Sequence, residues 1–137
     1  KTIWYTRQEM LRQGLLTPAT HFLQIDTDVI PSNEQIDKLL SYDEDFISGY
    51  YQDTMKNPCV IKNNNYYLGK GVEEVDVLSM GFSLMKREVA EEIEYPEPSP
   101  SNKIDADTEF CNLVRKAGFK IKVDFDLCAP QLLLGKF

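Results

Sequence analysis

Short apolar runs alternate with capped helical segments along most of this chain, and that alternation leaves few folds open. Thr6 and Glu9 stand at capping-box spacing ahead of Met10, Leu11 and Leu15, and Gly14 and Pro18 break the pattern, so the spacing predicts a helix over 6–16. His21–Ile25 reads as a buried strand. Ser32 and Gln35 form a second capping box before Ile36, Leu39 and Leu40, which share one helical face. Strand patterns return at 46–51 and at 75–85, the latter with Gly81 inside it, and 60–62 with 66–68 flank the Asn63, Asn64, Asn65 cluster as a hairpin. A short helix is expected at 87–93 and another at 106–117, with Asp105 as its N-cap and Gly118 as its stop; 119–125 then alternates as the last strand. Strands interleaved with helices predict an α/β domain with a largely parallel sheet.

The length of 137 residues fits one domain, and the expectation is a single unit over 1–137. Because the chain opens on Lys1 with what reads as the middle of a domain, an incomplete N-terminus is expected. The 22 acidic against 15 basic residues give a net charge of −7, which offers no field for a polyphosphate backbone, so nucleic acid is not an expected partner. No apolar run approaches the roughly 20 residues that span a bilayer, and the chain reads as soluble and cytoplasmic. Three dispersed cysteines and a single histidine, His21, disfavour a zinc site, so a metal would be held by oxygen.

The segment Phe22-Leu23-Gln24-Ile25-Asp26-Thr27-Asp28-Val29-Ile30-Pro31 carries the strongest chemical signal. Two carboxylates at the carboxyl end of a buried strand sit where open α/β sheets bind ligands, and they repel each other unless a cation intervenes. Mg²⁺ or Mn²⁺ with a diphosphate is the natural complement. Spacing alone does not single this pair out, because Asp43 with Asp45, Asp105 with Asp107, and Asp124 with Asp126 repeat it, and a capped turn would also place Asp26 and Asp28. Asp107, in the first turn of a helix after a Pro- and Ser-rich loop at 96–101, is either a capping carboxylate or a general base. Arg7 faces a phosphate or is a surface arginine; His21, Trp4, Tyr5, Tyr50 and Tyr51 read first as structural.

In this order the segments resemble the GT-A glycosyltransferases, especially the family 2-like group. The resemblance rests on Thr6-Arg7-Gln8-Glu9 as the "ARN" helix start, on the Asp26–Asp28 strand, on 46–51, on 75–93 and on 105–131, and it extends more loosely to a small viral or archaeal member. It implies a Rossmann-like nucleotide-diphospho-sugar transferase fold and a metal-dependent, hexosyltransferase-type activity that moves a sugar from a nucleoside-diphosphate donor to a hydroxyl of a glycan, protein or lipid, with inversion. On that resemblance Arg7, Asp26, Thr27 and Asp28 bind the donor, Asp26 and Asp28 hold Mn²⁺ or Mg²⁺, Met80, Gly81 and Phe82 line the acceptor and sugar side, and Asp107 is the base. Ala106 replaces the family's Glu, Gln131 stands at a metal-binding His position as a third candidate ligand, and the family's first, base-gripping strand has no counterpart.

Two other readings compete. A binding domain that kept the fold and lost activity would suit Ala106 and Gln131. A haloacid-dehalogenase-like phosphatase would use Asp26 as nucleophile, but its motif wants Thr or Val where Ile30 precedes Pro31.

Overall fold

The computed structural model describes residues 3–53, 55–98 and 104–132. Helix α1 (Ile3–Leu15) leads into strand β1 (His21–Ile25), then α2 (Asn33–Leu40) and β2 (Phe46–Tyr50). A small hairpin, β3 (Ile61–Lys62) and β4 (Asn65–Tyr66), precedes β5 (Val72–Glu74) and β6 (Phe82–Lys86); α3 (Arg87–Glu92), α4 (Ala106–Lys116) and β7 (Ile121–Cys128) follow. The capping box at α2 is formed, with the Ser32 side chain accepting from Gln35 N–H and the Gln35 side chain accepting from Ser32 N–H. Asp105 caps α4 by accepting from Thr108 N–H, and Gly118, at φ +98°, supplies the left-handed residue just past the helix end. Thr6, by contrast, lies inside α1 rather than at its start.

The five-stranded sheet has the order β1-β6-β2-β7-β5. Strand β6 is antiparallel to both β1 and β2, β5 is antiparallel to β7, and only β2 and β7 pair in parallel. The sheet is therefore mostly antiparallel, which corrects the expectation of a largely parallel one. The cause lies in 75–85: this apolar stretch is not one strand. Its first part is a loop tied by Val75 N–H to Ile121 O and by a bridge between Ile61 and Val77, and a turn closed by Phe82 N–H on Ser79 O then feeds β6 back between β1 and β2 without a crossover helix. Even so, β1, β2 and β7 all run in one direction, and their carboxyl ends lie on one edge of the sheet.

Each face of the sheet buries its own cluster. Phe46 of β2 packs on one side with Leu11, Val89, Phe110 and Val114, from α1, α3 and α4. Its neighbour Ile47 packs on the other side with Leu39 of α2, Phe82 and Leu127, as the alternation of strand side chains requires. Strand β2 is buried along its whole length, so its sequence shows no polar face. In β7 the alternation expected for 119–125 has one exception, since Asp124 is fully buried and accepts from the Tyr42 hydroxyl and from Asp126 N–H. The Pro-rich loop expected at 96–101 lies partly outside the described residues.

Candidate functional site

Strand β1 delivers Asp26 just past its last residue, and the backbone is fixed there by Asp26 N–H donating to Gly81 O at 2.9 Å. Gly81 is required by space rather than by its torsions. A Cβ built on it would stand 2.4 Å from Asp26 Oδ2 and 2.7 Å from the Tyr51 hydroxyl oxygen. The same hydroxyl accepts from Gly81 N–H at 3.0 Å. Burial, and then the charge of Asp26, push the Tyr51 hydroxyl pKa upward, so it stays a neutral phenol.

Arg7, from the first turns of α1, is the centre of the cluster. Its Nη1 and Nη2 donate to Oδ1 and Oδ2 of Asp26 at 3.0 and 3.2 Å, a bidentate pair, and its Nε donates to Asp107 Oδ1 at 2.9 Å. The arginine side chain is only 4% exposed, against 22% for Asp26 and 30% for Asp107. Burial pulls the guanidinium pKa down, but Asp107 and Asp26 more than reverse this and the net shift is upward; Arg7 is a permanent cation. The sequence expectation set Arg7 beside a nucleotide; here it is buried between two of the other candidate residues. Asp107 also accepts the Tyr95 hydroxyl on Oδ1, while among the described residues its Oδ2 has only a long 3.5 Å contact from Arg7 Nη2. Tyr95 is 1% exposed, and its position is fixed by Gln8, whose side chain donates to Tyr95 O at 2.8 Å.

Asp28 stands on the far side of the turn. Residues 130–132 run antiparallel beside 28–30, through Ile30 N–H to Pro130 O and Leu132 N–H to Asp28 O. This brings Gln131 Nε2 within 3.0 Å of Asp28 Oδ2. The other amide atom, Gln131 Oε1, is buried and has no hydrogen-bond partner; among the described residues the only similar side-chain atom is Gln24 Nε2. A cavity of about 380 Å³ is lined by Thr6, Arg7, Gln24, Asp26, Thr27 and Asp28. A second one, of about 210 Å³, is lined by Tyr51, Tyr66, Asp105, Asp107 and Thr108.

The structure thus brings Arg7, Asp26, Thr27, Asp28, Gly81, Asp107 and Gln131 into one neighbourhood. It does not bring Met80 or Phe82 there by their side chains, which are 1% and 0% exposed and belong to the two core clusters. Tyr95 and Gln24 were missed. Gln24 had a signal, an amide inside an apolar strand run, whereas Tyr95 had none beyond its place before the Pro-rich loop. Among the described residues no group of three or more His, Cys, Asp or Glu is placed to hold a metal ion, and no helix is long and apolar enough to cross a membrane.

No family model matches the sequence, and no curated protein matches it. Among solved structures, the crystal structure of A197 from STIV, a turreted icosahedral archaeal virus, is similar with a TM-score of 0.75. The similarity covers 97% of this chain and 69% of that one, at 20% sequence identity. It is a likeness of fold. The tertiary arrangement is shared with a viral protein, and the chemistry has to be argued from the residues above.

Proposed function

We propose that the chain is a cation-dependent glycosyltransferase domain that moves a sugar from a nucleoside-diphosphate donor to an acceptor hydroxyl with inversion. The observation that supports this most is the charge balance at the carboxyl edge of the sheet. Asp26 and Asp107 share the one guanidinium of Arg7, and Asp28, which has no cationic partner among the described residues, lines the same cavity as Asp26; the three carboxylates and one guanidinium leave a net of 3 − 1 = 2 negative charges beside a cavity large enough for a ligand. An anionic diphosphate enters such a site only with a cation. Both oxygens of Asp26 are held by Arg7, so the carboxylate left for that cation is Asp28. The orphaned Oε1 of Gln131 fits the same role: rotation of the amide turns an oxygen toward Asp28's side of the site. Two protein oxygens suit Mg²⁺ or Mn²⁺, hard ions that keep several waters and take substrate oxygens, and the ion would supply neutralisation of the leaving diphosphate.

The chain's own residues carry the rest. Asp107 Oδ1 is fixed by Arg7 and Tyr95, which leaves Oδ2 to take the proton of an acceptor hydroxyl as its oxygen bonds to the anomeric carbon and the bond to the diphosphate breaks. The phosphatase reading is disfavoured by the bidentate Arg7 pair, which occupies the two oxygens Asp26 would need for attack. The test is titration calorimetry of a UDP-sugar and GDP-sugar panel with and without Mn²⁺. Cation-dependent binding is expected in the unaltered chain and in His21→Ala, and its loss in Asp28→Ala; cation-dependent binding that survives Asp28→Ala would overturn the assignment.

A further inference from the structure

The smaller cavity, beyond Asp107, differs in chemistry from the one at Asp28. It is bounded by the rings of Tyr51 and Tyr66, by the carboxylates of Asp105 and Asp107 and by Thr108, and none of its described lining residues is basic. Tyr66 is 58% exposed although its neighbour Tyr67 packs in the core against Phe125. The hairpin that presents Tyr66 is held in place. Asn63 and Asn64 turn it with φ of +54° and +65°, as a two-residue hairpin loop demands. Asn63 N–H donates to Asp76 Oδ2 at 2.9 Å, and Ile61 bridges to Val77.

An exposed aromatic side chain and carboxylate acceptors lining one cavity of about 210 Å³ are matched by a ligand with one apolar face, several hydroxyl donors and no negative charge. That volume lies below the roughly 300–1,000 Å³ of pockets for larger organic ligands. We infer that this cavity is the acceptor subsite and that it takes the terminal ring of a neutral glycan, with Tyr66 as the stacking platform. The charge of Asp107 is met by Arg7, so Asp105 is the carboxylate that discriminates against a phosphorylated acceptor such as a lipid phosphate, since no cation stands among the described lining residues to offset it. The assignment of the cavity to the acceptor rests on the transferase reading; the preference for a neutral sugar rests on the cavity alone.

The experiment is saturation-transfer NMR on the full chain without donor, using methyl α-glucoside, methyl β-galactoside and N-acetylglucosamine as probes, with glucose 6-phosphate and phosphatidic acid vesicles as anionic counterparts. At least one neutral sugar is expected to receive saturation, with affinity about tenfold weaker in Tyr66→Ala and largely kept in Tyr66→Phe. Asp105→Asn is expected to narrow the gap between glucose and its phosphate. Equal or better binding of either phosphorylated probe, or unchanged sugar binding in Tyr66→Ala, overturns the inference. Sugar binding that behaves as expected in a chain that transfers nothing from any donor would count against the transferase reading and leave the neutral-sugar preference standing.

Discussion

Arg7 is the residue whose removal tests the architecture of the site most directly. In Arg7→Met the side chain keeps much of its length and apolar stem, but Asp26 and Asp107 lose their shared counter-charge and Gln24 Oε1 loses the 3.4 Å contact from Nη1. Breaking a buried ion pair by removing one partner costs about 3–5 kcal/mol, because the stranded charge remains. Asp26 and Asp107 are 22% and 30% exposed, so water can reach them and the lower end of that range applies. A loss of about 3 kcal/mol is a large share of the roughly 5–15 kcal/mol of a typical domain. With a urea slope of about 1.5 kcal/mol/M it moves the unfolding midpoint down by about 2 M. Adding Asp26→Asn to Arg7→Met removes one of the stranded charges, so the double variant is expected to be more stable than the sum of the single losses by at least about 1 kcal/mol. Equilibrium urea unfolding followed by tryptophan fluorescence and by circular dichroism reads all four corners of the cycle. A loss below about 1 kcal/mol for Arg7→Met, or strict additivity, would refute the claim that one guanidinium holds both carboxylates.

Gly81→Ala is expected to cost about 1–3 kcal/mol by overpacking, since the new methyl meets the Asp26 carboxylate and the Tyr51 hydroxyl at contact distances no side chain tolerates; a melting curve unchanged from the parent would show that this corner can relax freely. The thiols should separate by burial in a timed alkylation read by mass spectrometry at pH 8. Exposed Cys128 reacts first; Cys59, which burial pushes up to about 11, reacts slowly; and Cys111, pushed up to about 12 by full burial, reacts on unfolding, so labelling of Cys111 at the rate of Cys128 would contradict the packing of α4.

What could be read from the amino-acid sequence was local. The Ser32–Gln35 capping box, the Asp105 cap and the Gly118 stop are all patterns complete within four residues or fewer, and all are formed. Pairing direction is not such a pattern. Little in 75–85 distinguishes a long strand from a loop, a turn and a short strand, because the run is mostly apolar and, apart from Asp76, buried throughout, and the antiparallel placement of β6 depends on which neighbours it finds. The site followed the same division. A carboxylate pair at the end of β1 was visible, and so was a glycine inside the apolar run at 81, but not that Asp26 and Tyr51 are what crowd it. That Arg7 lies between Asp26 and Asp107, or that Tyr95 holds Asp107, depends on contacts with no periodic signature. Met80 and Phe82, which flank Gly81 in the turn that leads into β6, bury their side chains in the two core clusters for a related reason: no local pattern announces which core each will meet.

The separation of these partners along the chain also orders events in time. Arg7 and Asp107 are 100 positions apart, and Gln131 and Asp28 are 103 apart. Closing a loop of that length costs on the order of 4 kcal/mol of chain entropy before any contact rewards it. Neither pair is local, so each depends on the sheet for its closure: β1 pairing with β6 sets Asp26 and Asp28, and β7 pairing with β2 carries the chain on to Gln131. On refolding, a ligand that reads Asp28 or Asp107 is therefore expected to report long-range assembly of the sheet rather than the local formation of helices and turns.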